Sequence, residues 1–284
     1  MSSETKSKIT GLTSLPTIPV VITKLIGILK NENASINNLV EIIRHDQSIT
    51  SRIVSIANSP FFGYPGRINS IEQAVLMLGF NLVKSISLSV SIFTMFPIPY
   101  IKLKKMWSHA FKVAALSELL STKISGNNSG VCFLSGLLHD IGRAIFLCLN
   151  KINYPPESLE NTLQLKSEEL FEAEKSLFNC DHAEAGTWFL EELYFPKEII
   201  LPVSYHHNLE SSALSGTPHR GVILALYLAE GLIEEFEPDS LNDGRFTDTH
   251  FTLFKESGFT EKDIERLREN FLLTIETAEN FFEL

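Results

Sequence analysis

Phe133-Leu134-Ser135-Gly136-Leu137-Leu138-His139-Asp140-Ile141-Gly142-Arg143-Ala144-Ile145-Phe146-Leu147 sets an imidazole and a carboxylate side by side in an otherwise apolar run. Burying that pair costs several kcal/mol unless each group is hydrogen-bonded or holds a metal, so partners must come from elsewhere in the chain. On a helix, neighbours i and i+1 point about 100° apart, so His139 and Asp140 suit two adjacent ligand directions, with the carboxylate able to bridge two ions. Taken alone, the dipeptide reads better as a neutral, hydrogen-bonded core pair. The other histidines change that: of the eight, His109, His139, His182, His206 and His207 all fall in helical, mostly apolar contexts.

Outward from this stretch the periodicity is helical throughout. A helix from Gly130 to about Asn150 carries His139 and Asp140, and one from Lys102 to about Ser125 carries His109. Upstream, Ser35 and either Asp46 or Ser48 are caps, and Ser70 with Gln73 has the form of a capping box. Leu82 to Phe96 is read as helix although Ser85 to Ile92 alternates like a strand, because no hairpin partner with turn chemistry lies nearby. Downstream, Glu168 to Phe178 reads as a charged, half-exposed helix. Asp181 caps a helix bearing His182, Pro196 opens one that ends in Tyr205-His206-His207, and Arg220 to Phe236 and Glu261 to about Phe282 complete the set. Asn153 to Glu160 and Glu237 to His250 read as loop or turn, and His219 and His250 as loop residues. The expected fold is all-α: a lead-in over 1–13, an N-terminal helical part over 14–100, a helical core over 101–236 and a C-terminal helical extension over 237–284.

The 284 residues suffice for a large core. No uninterrupted apolar run reaches the ~18 to 20 residues of a membrane helix, and Met1 to Thr13 lacks a signal-peptide apolar region, so the expectation is a cytoplasmic protein with no membrane contact. Cys132, Cys148 and Cys180 lack metal-knuckle or disulfide spacing and read as reduced packing thiols, Cys180 included although it lies near His182. Net charge is -10, split unevenly: 12 Lys and Arg against 5 Asp and Glu in residues 1–112, and 12 against 29 beyond. The positive half is scattered rather than clustered, which argues against a nucleic-acid partner.

Two separate regions resemble a known family. Asp46-Gln47-Ser48-Ile49-Thr50-Ser51-Arg52-Ile53-Val54-Ser55-Ile56-Ala57-Asn58-Ser59-Pro60-Phe61-Phe62-Gly63, followed by Ser70 to Gly79, looks like the N-terminal signature of HDOD domains, the HD-related output domains of bacterial signalling proteins. Gly136-Leu137-Leu138-His139-Asp140-Ile141-Gly142 is similar to the motif these domains share with HD-superfamily metal-dependent phosphohydrolases. The likeness covers roughly residues 14 to 210 and implies an HD-type helical core.

By that resemblance, His109, His139, Asp140, His182, His206 and His207 match metal-ligand positions, and Glu230 stands where the superfamily has an aspartate. The cofactor implied is one or two divalent ions, Fe, Mn or Zn. Asp140 and Arg143 match the positions that would carry phosphoester chemistry, Arg143 standing where hydrolytic relatives have a lysine. Asn208-Leu209-Glu210 departs from the acidic residue and Gly-Tyr-Pro that follow the paired histidines in enzymes cleaving cyclic di-GMP, and HDOD domains are generally regarded as non-hydrolytic. The leading expectation is therefore a signalling module that binds a protein partner or a nucleotide, its pocket holding a metal. The alternative is a metal-dependent phosphohydrolase acting on a cyclic dinucleotide or nucleotide. Oligomeric state is not legible in the sequence.

Overall fold

Ser35 and Asp46 start helices in the computed structural model of the chain, which describes residues 2–13, 19–31, 33–63, 66–126, 128–149, 167–236 and 246–280. Helices α1 (Ser2–Thr13) and α2 (Val20–Lys30) lead into α3 (Ile36–Arg44), opened by a capping box between Ser35 and Asn38. Asp46 accepts the Ile49 amide at 3.0 Å to begin α4 (Gln47–Ala57). Ser70 accepts from the Gln73 amide at the head of α5 (Ile71–Leu78), but the Gln73 side chain accepts from Asn69 rather than Ser70, so only half of the expected box forms. No strand occurs among the described residues, and the all-α expectation holds.

Helix α6 (Phe80–Thr94) resolves the strand-like alternation in favour of helix. Ser85, Ser87, Ser89 and Ser91 are buried along with their apolar neighbours, so the element is covered all round. Three of these hydroxyls return to the helix's own carbonyls: Ser87 to Val83 at 2.6 Å, Ser89 to Ile86 at 3.0 Å and Ser91 to Ser87 at 2.7 Å. Satisfied in this way, serine is small enough to let α2 and the central helical core close on both sides.

That core comprises α7 (Tyr100–Ile124), α8 (Ser129–Leu138), α9 (Ile141–Leu149), α10 (Ser167–Phe178), α11 (His182–Glu192), α12 (Lys197–Tyr205) and α13 (Arg220–Phe236), followed by α14 (Asp248–Glu256) and α15 (Glu261–Asn280). The expected single helix from Gly130 to Asn150 is two, and His139 and Asp140 form the turn between them. Helices α7 and α8 pack closely because Gly136 has no side chain: a Cβ there would lie 2.5 Å from the Ala114 Cα. Gly142 lets α9 press against the start of α11. One apolar cluster runs from the N-terminal helices into α7, α8, α9, α11 and α12, and a second joins α7 to α13, α14 and α15.

Four expectations need correction or limits. Residues 2–13 are helix α1, not a loose lead-in: Ile9 is fully buried, and the Lys6 ammonium sits 5.3 Å over the Trp188 ring of α11. His250 is not in a loop but buried in α14, its ring stacked on Tyr227 at 4.3 Å. Ser129–Leu149 is long and apolar enough, by length and composition, to cross a bilayer, yet 78% of its most apolar window is buried inside the protein. The readings of Leu15 to Ile18, Tyr64, Asn153 to Glu160 and 237–245 lie outside the described residues.

Candidate metal centre

Two helix ends build the site. His139 and His206 are the C-cap residues of α8 and α12, and each ring closes its own helix: Nδ1 lies 2.7 Å from the Gly136 carbonyl in one case and 2.7 Å from the Val203 carbonyl in the other. A carbonyl can only accept, so Nδ1 carries the proton and donates, and Nε2 is left to point inward. The orphan carbonyls of a helix terminus thus select the tautomer suited to binding a metal. His182, the first residue of α11, is held similarly, its Nδ1 lying 2.8 Å from a Glu174 carboxylate oxygen.

These inward nitrogens meet the remaining expected residues. Asp140 offers one oxygen to each side: Oδ2 lies 3.6 Å from His139 Nε2 and 3.8 Å from His109 Nε2, and Oδ1 lies 3.3 Å from His182 Nε2 and 3.9 Å from His206 Nε2. Glu230 joins the first group, with Oε1 at 2.8 Å from His139 and 3.3 Å from His109. His207 joins the second, its Nε2 3.2 Å from that of His182. Two sets therefore share one carboxylate, His109–His139–Asp140 and Asp140–His182–His206–His207, the donor atoms within each lying no more than 4.8 Å apart. All seven residues expected at ligand positions converge. Arg143 adds a guanidinium nitrogen 2.9 Å from Asp140 Oδ2.

The donor set fits divalent ions. Nε2–Nε2 separations of 3.2 Å recur in the His109–His139 and His182–His207 pairs. Two nitrogens bound at about 2.0–2.1 Å to one ion are ~2.8–3.0 Å apart in octahedral and ~3.3–3.4 Å apart in tetrahedral arrangement, so both pairs are spaced close to a tetrahedral edge of a coordination shell. Imidazole with carboxylate suits Zn, Fe or Mn. The Nε2 of His206 is buried and has no hydrogen-bond partner among the described residues, which a ligand role would account for.

Electrostatics in the metal-free protein run the same way. Burial pulls the His139 pKa down, but Asp140 and Glu230 outweigh it and raise it to about 9. Burial pushes Glu230 up, and His109 and His139 more than reverse this, to about 2. His206 is held well below the ordinary histidine value by burial and by His207, His139 and His182. His139 thus carries a proton at neutral pH that a metal must displace. Below about pH 9, apparent metal affinity is expected to rise roughly tenfold per pH unit and then level off, with one proton released from His139 per ion bound there. Calorimetric titrations in buffers of different ionisation enthalpy count that proton. An affinity flat from pH 6 to 9 contradicts it.

Glu174 was not foreseen. Its helix has the charge pattern of a half-exposed element, yet Glu174 is fully buried, and the sequence signal for this is its place in a buried i, i+4, i+8 stripe between Leu170 and Phe178. A carboxylate in the middle of such a stripe needs a donor, and His182 supplies it. Cys180 packs in the core and belongs to neither group of donors. His45 is the C-cap residue of α3, away from the centre.

Residues 15–209 match the HDOD domain. A protein of Treponema pallidum (strain Nichols), named only as uncharacterized, is 22% identical over 200 residues, 69% of this chain, and this chain spans 38% of that relative's length. An HDOD domain protein of unknown function from Geobacter sulfurreducens superposes with a TM-score of 0.74 at 20% identity, covering 99% of this chain and 100% of that one. A Shewanella amazonensis SB2B structure named "Putative phosphohydrolase" gives a TM-score of 0.74 at 19% identity over 95% and 96% of the two chains. A Marinobacter aquaeolei VT8 structure named "Putative signal transduction protein" gives 0.74 at 21% identity, with 93% of this chain covering 58% of that one. At such identities the structural likeness speaks for the fold. The domain match spans well over half of the sequence and takes in both motif regions, and the chain belongs to the HDOD domain family.

Proposed function

We propose that this HDOD protein is a signalling component whose helical core holds two divalent ions and hydrolyses a phosphoester of the nucleotide or cyclic dinucleotide class. The observation that carries the reading is the placement of Asp140, with one oxygen toward His109 and His139 and the other toward His182 and His206. His109, His139, Asp140 and Glu230 would hold one ion, and Asp140, His182, His206 and His207 the other. When bound, such ions supply a water of lowered pKa and positive charge for phosphoryl oxygens.

The chain's own contribution is to orient and to exclude water. His139, His182 and His206 are fully buried, whereas His207 is half-buried and Arg143 is 20% exposed, so a substrate approaches past the last two. Arg143 brings a planar fork of N–H donors to that mouth, suited to a phosphate. Its ion pair with Asp140 keeps the guanidinium in place before substrate arrives.

A second reading has the same centre bind a nucleotide or a partner protein without turnover. The enclosure of three of the five histidines favours it, as does Asn208-Leu209-Glu210 after the paired histidines. Metal analysis of the purified chain, followed by assays with cyclic di-GMP and a generic phosphodiester in the presence of Mn, Fe or Zn, separates the two. Bound metal with turnover is the expected result. Bound metal without turnover on any phosphoester leaves the binding module, and a chain that retains no metal at any pH from 6 to 9 removes both.

A further inference from the structure

We infer that the two halves of the centre are unequal and that Glu174 is the positioning residue of only one of them, the half built from His182, His206 and His207. The inference rests on the metal reading above and concerns a residue that reading does not use.

Glu174 is fully buried on α10, and one of its oxygens, Oε2, accepts twice from the same residue: from His182 Nδ1 at 2.8 Å and from the His182 backbone amide at 2.9 Å. These two bonds fix both the ring and the backbone that carries it, leaving Nε2 no direction but toward Asp140 Oδ1. Three residues earlier on the same helix face, Phe171 stacks on the His182 ring at 5.2 Å and meets the His207 ring edge-on at 4.9 Å. Helix α10 therefore braces two of the three imidazoles of this half.

The other half is braced differently. His139 donates to a neutral backbone carbonyl, and its added negative charge comes from Glu230 within the cluster itself. Beyond the shared Asp140, one half thus has a second carboxylate, Glu230, among its donors, and the other has one, Glu174, behind a donor. A charged acceptor on Nδ1 makes an imidazole a stronger ligand, and loss of such a partner typically weakens metal binding ~10–100-fold. The effect should stay in one half, because the residue that Glu174 holds, His182, is a donor of that half.

The alternative role for Glu174 is as a helix cap, since the amide it accepts is the first of α11. Glu174→Gln distinguishes the two: the amide oxygen can still accept both hydrogen bonds, so the cap survives while the charge is lost. The metal-stripped full chain and its variants would be titrated calorimetrically with Zn²⁺ alone, with thermal unfolding of each stripped protein as the measure of fold. The wild type is expected to take two ions in distinguishable steps. Glu174→Gln should unfold at an unchanged temperature and weaken one step ~10–100-fold while sparing the other. Glu230→Gln should weaken the complementary step. Glu174→Ala should weaken the same step as Glu174→Gln and unfold earlier, having lost the cap as well. Two steps of unchanged affinity in Glu174→Gln would make Glu174 a cap only and overturn the inference, as would loss of both steps together. A wild type that takes fewer than two ions overturns the two-ion reading itself, and this inference with it.

Discussion

Asp140→Asn is expected to lower the affinity for both ions by more than the roughly 100-fold upper range of an outer partner, and to abolish any hydrolysis that depends on them. It is the one residue whose two oxygens face the two donor sets, so a single substitution reaches both. Asparagine preserves its shape and removes its charge. The metal-free protein should not suffer in proportion. Asp140 is a buried carboxylate paired at 2.9 Å with the partly exposed Arg143, and His139, 3.6 Å away, holds its proton because Glu230 as well as Asp140 is there. With Asp140 neutral, His139 keeps Glu230 as its counter-charge at 2.8 Å, and Arg143, partly exposed, turns to water. The change in metal-free stability should therefore stay within about 1 kcal/mol. If the cluster were only a polar network holding helices in place, the order would be reversed. Breaking a buried charged pair would then cost about 3–5 kcal/mol with or without metal. The decisive measurement is thermal unfolding of wild type and Asp140→Asn, each with and without Zn²⁺. A metal-induced rise in the wild type that vanishes in the variant supports a centre that binds ions in the folded state. A large fall in the stripped variant, with no metal effect in either protein, rules that centre out.

The sequence made the helices, the five histidines and Asp140 legible because each leaves a local mark, whereas Glu230 came only through the family resemblance. Ser35 and Asp46 cap as short oxygen-bearing side chains do, and five histidines in apolar helical surroundings ask for a common partner. What escaped was whatever depended on tertiary contact. The break at His139–Asp140 has no proline or cap signal. Its helix end is closed by the His139 ring itself, which reads as an ordinary core residue until its Nδ1 is seen on Gly136. Helix α1 docks through tertiary contacts, Ile9 in the core and Lys6 over Trp188, that its mostly polar sequence does not announce. His250 lies in a polar stretch and is buried by tertiary contacts, with the Tyr227 and Phe246 rings stacked on it and Gly231 leaving it room. Glu174 was hidden by the charges around it, although its spacing from Leu170 and Phe178 gave it away.

Gly142→Ala should be the most damaging single methyl that can be added to this fold. A Cβ at that position would fall inside contact distance of the His182 carbonyl oxygen, and at 2.7 and 2.8 Å from that residue's carbonyl carbon and Cα. None of these atoms is the movable end of a side chain. Helix α9 must therefore back away from α11 as a unit, and overpacking of this kind lies at or beyond the upper end of the usual ~1–3 kcal/mol. The displaced residue is also His182, 3.3 Å from Asp140 Oδ1, so the variant loses alignment in the centre even where it folds. A shift of about 1 Å is worth roughly 100-fold in a site whose groups must be aligned. Gly27→Ala is the matched control. Gly27 is exposed in the middle of α2, and a Cβ there meets nothing within 4 Å, so alanine should stabilise by about 1 kcal/mol through helix propensity alone. Denaturant unfolding of the two variants should give shifts of opposite sign. If Gly142→Ala were as benign as Gly27→Ala, helices α9 and α11 would not pack backbone to backbone. The route by which the His139–Asp140 turn is brought up to His182 would then have to be different.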